Sequence, residues 1–130
     1  YMSDQRSYNI VKEKRGFLIE FEGIINANLL IQANQALLRH EEYQSASYQL
    51  WDLSEAEKLN LDSESVRQLA MQDTAGVKLN PDMKLILVGP SHLINGLSNI
   101  YNLYSQVWEA YTSRTFTDIQ RARSWIKEHG

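Results

Sequence analysis

Six residues, Met83-Lys84-Leu85-Ile86-Leu87-Val88, constrain this chain more than any others. Asn80-Pro81-Asp82 makes a turn before them, and Gly89-Pro90-Ser91 ends the run. A short, nearly unbroken apolar run between turn residues reads as a strand buried on both faces, the signature of a parallel sheet covered by helices. A parallel neighbour requires a crossover of about a dozen residues or more, usually a helix. The flanking sequence supplies both helices. Upstream, Asp62 is a good N-cap, with Leu61 before it and Val66 four positions after, the spacing of a hydrophobic staple. That helix carries Val66, Leu69 and Ala70 and is expected to end near Gly76. Downstream, Ser91 is placed to cap a long helix with a wide apolar stripe of Leu93, Ile94, Leu97, Ile100, Tyr101, Tyr104 and Trp108.

The rest of the chain fits around this unit. Residues 7–14 and 17–22 read as strands joined by Lys14-Arg15-Gly16, an antiparallel hairpin with Phe17, Ile19 and Phe21 inward. Gly23-Ile24-Ile25-Asn26 is expected to break the second strand. Asn26 or Asn28 then caps a helix that runs to about Glu42, with Leu29, Leu30, Ala33, Leu37 and His40 on its apolar side. Residues 41–46 read as a polar connection. Tyr48 to Asp52 reads as an interior strand, because Leu50, Trp51 and Leu53 place apolar residues on both faces, and residues 54–60 read as a loop. Residues 109–116 form a short edge strand. Thr117-Asp118-Ile119-Gln120 reads as a capping box that opens a last helix, with Ile119, Ala122, Trp125 and Ile126 facing the core. The order ββαβαβαβα predicts an α/β fold, a mixed sheet of about five strands with about four helices and right-handed crossovers.

Composition bounds the function. The chain has 130 residues, enough for one domain, and a hydrophobic fraction of 43%, enough for a core. Met2 reads as the native start, residues 1–6 as frayed, and residues 7–130 as a single domain. A net charge of -3 with no basic run argues against nucleic acid. With no cysteine, disulfides and thiolate chemistry are excluded, in keeping with a cytoplasmic protein. The longest aliphatic run, Leu85 to Val88, is far too short for a transmembrane segment, and the polar N-terminus is no signal peptide.

In open α/β sheets, sites lie beyond the carboxyl ends of the strands and at helix N-termini. Asp52, Asp62, Ser63, Ser91 and His92 are therefore the candidate binding residues. Asp52 at a strand end has the position of a phosphoacceptor or a Mg²⁺ ligand. The acid pair and the lysine that would accompany it are missing, so a structural carboxylate capping nearby amides is the better reading. Gly89-Pro90-Ser91-His92-Leu93 lacks the second glycine of a nucleophile elbow. His40, His92 and His129 have no partner at metal-ligand spacing. No catalytic constellation is complete, so no enzyme activity, cofactor or metal is predicted. The aromatic stripe of Tyr101, Tyr104, Trp108 and Tyr111 supports three readings: core packing, a homodimer face, or a groove for an apolar ligand.

Four local patterns in this order resemble the SpoIIAA-like superfamily, also called STAS domains and grouped structurally with the SEC14-like lipid-binding fold. They are Leu50-Trp-Asp-Leu-Ser54, the run Leu61 to Ala70, the run Leu85 to Leu97 followed by Ile100-Tyr101, and the run Arg114 to Ile126. Within the last, Ala122-x-x-Trp125-Ile126 is similar to an Ala-x-x-Trp-Leu ending found in small, largely uncharacterised bacterial members. The resemblance implies a single SpoIIAA-like domain with non-enzymatic work: regulation through protein contacts, nucleotide or phosphate sensing, or lipid binding. In the anti-sigma-factor antagonists of this superfamily, a Ser after Asp at the start of the helix following the central strand is phosphorylated, and Ser63 after Asp62 falls at the similar position. The family's Asp-Ser-Ser-Gly reads Asp-Ser-Glu-Ser here, with Glu64 and Val66 where small residues permit close partner approach. The leading expectation is a cytoplasmic domain that binds a protein partner through residues 52–65 and 91–104. One alternative is a SEC14-like binder of an apolar ligand, peripheral to a membrane, which requires a cavity between the third helix and the sheet. Another is a regulator switched by phosphorylation of Ser63.

Overall fold

A computed structural model describes residues 8–101 and 112–129. Five strands form one sheet in sequence order: β1 (Tyr8–Lys12), β2 (Gly16–Asn26), β3 (Tyr48–Asn60), β4 (Lys84–Val88) and β5 (Thr112–Phe116). β1 is antiparallel to β2, and every later pair is parallel. Among the described residues there are four α-helices: α1 (Ala27–Leu38), α2 (Ser63–Leu79), α3 (Ser91–Tyr101) and α4 (Ile119–His129). This is the predicted order, a mixed sheet with helical crossovers.

The helices divide unequally. Phe17, Ile19, Phe21, Trp51, Leu53, Leu85 and Leu87 point to one face, where Leu30, Ala33 and Leu37 of α1, Leu69 of α2 and Leu93, Ile94 and Leu97 of α3 bury them. Tyr48, Leu50, Ile86 and Val88 point to the other, covered by Ala122 and Ile126 of α4. The alternation of β3 and β4 between these clusters confirms strands buried on both faces. Phe21 stacks on Trp51 with ring centroids 5.5 Å apart.

The sharpest departure from expectation lies in β2 and β3. Gly23 does not end β2, and residues 54–60 are not a loop. β1 pairs with β2 only along Phe17–Phe21, and β4 pairs with β3 only along Tyr48–Asp52. Beyond those points β2 and β3 continue together as a two-stranded parallel ribbon to Asn26 and Asn60. The register slips twice. From Glu20 to Glu22 β3 advances from Asp52 to Glu55, and from Gly23 to Ile24 it advances from Ala56 to Lys58. Gly23 sits at the second slip with φ +75°, a conformation that favours glycine. Each bulge breaks the two-residue alternation, so buried Ala56 and half-buried Leu59 lie three apart on one face. The other face of the ribbon is open, with Glu22, Glu55 and Ile24 exposed.

Smaller corrections share a cause, local hydrogen bonding. α1 stops at Leu38 rather than near Glu42, and its cap is Asn26, whose Oδ1 accepts from the Leu29 amide at 2.9 Å. His40 lies beyond the helix, its ring edge against Phe17. The connection at 41–46 holds a 3₁₀ turn, Tyr43–Ser45, with Tyr43 and Ala46 buried. The buried Asn80 amide donates to the carbonyls of Tyr43 at 2.9 Å and Ala46 at 2.8 Å, fixing that turn. α2 runs past Gly76 to Leu79 and ends on Asn80, just before Pro81.

Candidate functional site

α2 begins where the sequence placed it. The Asp62 carboxylate caps the helix, with Oδ1 accepting from the Ser65 amide at 2.8 Å and Oδ2 from the Ser65 hydroxyl at 3.2 Å. Glu64 pairs with Arg67 one turn on, at 3.2 Å. Ser63, the first helical residue, is exposed, and its hydroxyl has no partner among the described residues. The first turn is thus held by its neighbours while presenting one free hydroxyl.

Asp52 is elsewhere. Half-buried, it lies opposite Val88 and Glu20 at the edge of the five-stranded region. Its Oδ1 accepts from the Ser54 amide at 3.0 Å, a backbone donor at the first bulge. The eight strand residues that follow it, through Asn60, separate it from the start of α2 by roughly 25 Å. The structure therefore does not gather Asp52, Asp62 and Ser63 into one cluster.

Ser91 and His92 open α3 beyond β4, and both are exposed. Ser91 is not the cap. The Pro90 carbonyl accepts from the amides of Leu93 at 3.0 Å and Ile94 at 3.1 Å, which makes Pro90 the capping position and Ser91 the first helical residue. The same shift occurs at α4. The Asp118 carbonyl accepts from Ala122 at 3.2 Å and its carboxylate from Gln120 at 2.8 Å, so Asp118, not Thr117, is the cap. Both hydroxyls that the sequence assigned to capping are left free, and both border a cleft of about 320 Å³ between α3, the end of β5 and α4. Tyr101 ends α3, and Tyr104 lies outside the described residues, as do Trp108 and Tyr111.

Under α1, α2 and α3, a cavity of about 30 Å³ is lined by Leu30, Leu69, Leu85, Leu87, Leu97 and Trp51, with Asn34, Gln49 and Asp73 as its polar members. It has room for one or two waters and none for an acyl chain. The buried Gln49 takes the Trp51 indole N–H at 2.7 Å and donates to the Met83 sulfur at 3.1 Å. Asn34 donates to Gln72 and Asp73, both at 3.2 Å. No group of three His, Asp or Glu side chains suited to a metal occurs among the described residues, and no described helix is long and apolar enough to cross a membrane.

Sequence reasoning missed the cluster at the opposite end of the sheet. Arg123 of α4 makes a two-pronged pair with Glu13, 2.6 Å at each prong, and the buried Tyr48 hydroxyl also donates to Glu13. The Arg123 bond holds the Glu13 carboxyl below the usual range, against the opposing effect of burial. Burial, then the bond to Glu13, pushes Tyr48 up to about 12. Glu13 and Arg123 are 110 residues apart in sequence, and no local pattern links them.

These features define a class: an α/β domain on a five-stranded mixed sheet, with three of the described helices on one face and one on the other. No family model and no curated protein sequence matches the chain. Solved structures do. The anti-sigma factor antagonist SpoIIAA in its unphosphorylated form aligns with a TM-score of 0.60 and 12% identity over 92% of this chain and 97% of that one. The Bacillus cell fate determinant SpoIIAA in the phosphorylated form aligns at 0.58 and 10% identity over 90% and 97%. An uncharacterized Shewanella loihica protein of the DUF3478 family, with a SpoIIAA-like fold, aligns at 0.49 and 15% identity over 91% and 90%. The chain has the SpoIIAA-like fold.

Proposed function

We propose that this chain is a regulatory binding domain that acts through contacts with a protein partner, performs no chemistry of its own, and presents the start of α2 as the centre of its surface. One observation carries the reading: Ser63 is exposed and unpartnered in a helical turn whose other polar groups, Asp62, Ser65 and Glu64, are tied to one another or to Arg67. A preformed turn binds without an ordering cost. The neighbouring structures are an anti-sigma factor antagonist and the same protein in phosphorylated form, which supports regulation as a use of this fold. A phosphate on Ser63 would meet the amides at the start of α2, favourable by about 0.3–1 kcal/mol, and would be opposed by the Glu64 carboxylate. Ser91 and His92 extend the surface toward α3, and Asp52 supports the bulge from which the ribbon projects.

The test is capture of a binding partner by the wild type and by Ser63→Trp, Ser63→Ala and Ser63→Glu. Partner contact at this turn predicts that Ser63→Trp abolishes capture and Ser63→Ala preserves it. A phosphorylation switch predicts that Ser63→Glu departs from Ser63→Ala. Equal capture by all four proteins, or turnover that depends on Asp52 or Ser91, would overturn the proposal.

A further inference from the structure

A second site lies apart from the start of α2. The cleft beyond β4 and β5 is bordered by Ser91 and Asn95 of α3, Thr115 and Thr117 at the end of β5, and Arg121 of α4. None of these five side chains has a hydrogen-bond or ion-pair partner among the described residues, although both capping positions beside them are satisfied by Pro90 and Asp118. Ile94 and Phe116 supply an apolar wall, and the volume, about 320 Å³, is at the lower end of the range for small-ligand pockets. Among the described lining residues, Arg121 alone carries a full charge. Arg121 also borders the adjoining groove, where the carboxylates are Glu128 and Asp118, the latter held by the Gln120 amide; neither carboxylate lines this cleft.

We infer that this cleft binds a small organic oxyanion, a carboxylate or phosphate carried on a short apolar body. The Arg121 fork matches two oxygens of either group. The three hydroxyls and the Asn95 amide provide further donors, and Ile94 and Phe116 receive the body. A cation finds no carboxylate among the described lining residues, and a neutral apolar molecule would strand Arg121 and four other polar groups out of water. The position, just past the carboxyl ends of two parallel strands, is where open α/β sheets place their ligands. The cleft shares Ser91 with the rim of the proposed partner surface, but the inference does not depend on that surface.

The test is a two-dimensional NMR titration of the full chain with phenyl phosphate and with benzoate, observing backbone amides and arginine Nε–H groups. Saturable shifts confined to Ser91, Asn95, residues 115–117 and Arg121 are expected. Arg121→Gln should weaken binding about tenfold or more, as loss of a charged hydrogen bond implies, while Arg67→Gln on α2 should titrate like the wild type. The tighter of the two probes identifies phosphate or carboxylate as the preferred group. The same shifts from sodium chloride at matched ionic strength, unsaturable shifts spread over all basic residues, or an unchanged affinity in Arg121→Gln would overturn the inference. The readout sits at the cleft, so its failure leaves the Ser63 surface untouched.

Discussion

Arg121 and Arg123 stand two residues apart on α4 and meet opposite fates. Arg123 faces the end of the sheet where the strands begin. There Glu13, Tyr48 and the guanidinium satisfy one another, and Asn80 closes the Tyr43 turn. Arg121 borders the end where the strands finish, and there it, Ser91, Asn95, Thr115 and Thr117 have no partner in the described protein. Ser63, further out along the same direction, is also free. Polar groups at one end stabilise the fold. At the other end, these five side chains and the Ser63 hydroxyl have no partner among the described residues.

The contrast can be broken from the paired end first. A Cβ on Gly16 would lie 2.6 Å from the Tyr48 carbonyl oxygen and 2.7 Å from its ring. Gly16→Ala should therefore cost about 2–3 kcal/mol in urea unfolding, as overpacking does. Arg123→Ala should cost about 1 kcal/mol, because its side chain is 40% exposed and solvent screens the pair. A double-mutant cycle with Glu13→Gln should show coupling, because the two residues share one pair of hydrogen bonds. The pH dependence follows from the directions of the shifts. Glu13 titrates lower in the folded state, so its contribution is full above the unfolded value near 4.5 and is lost as pH falls through the folded value. Tyr48 titrates higher, so its contribution is full below pH 10 and is lost as pH rises from 10 to about 12. Arg123→Ala should flatten the acid limb, measured as unfolding free energy against pH. The smallest effects belong to the open end. Arg121→Ala and Ser63→Ala should each change stability by less than about 0.5 kcal/mol, since neither removes an internal bond.

The fold was legible in the sequence wherever burial imposed a pattern. The apolar run 83–88, the Phe17-x-Ile19-x-Phe21 alternation and the spacing of Ala122, Trp125 and Ile126 each report one local geometry. The ribbon was not legible, because two bulges disrupt the alternation of residues 54–60 and Gly23 supplies a bulge rather than a stop. At the start of α2, Asp62 was legible as the helix cap, since a cap is a short-range pattern. Ser91 and Thr117 were read as caps because capping residues and their neighbours have similar chemistry. Only the carbonyls of Pro90 and Asp118 distinguish them. Arg121 and Asn95 carried no signal, because the cleft is assembled from segments that meet only in the fold. Glu13 and Arg123 were hidden for the same reason.

The most direct test of the segregation of the two ends is site-specific photo-crosslinking in the native host, with a photoreactive residue at Ser63 and, in a second protein, at Lys14 in the exposed turn at the paired end. The account predicts a discrete protein adduct from position 63 and none above background from position 14. Equal adducts from both positions, or adducts from position 14 alone, would contradict it.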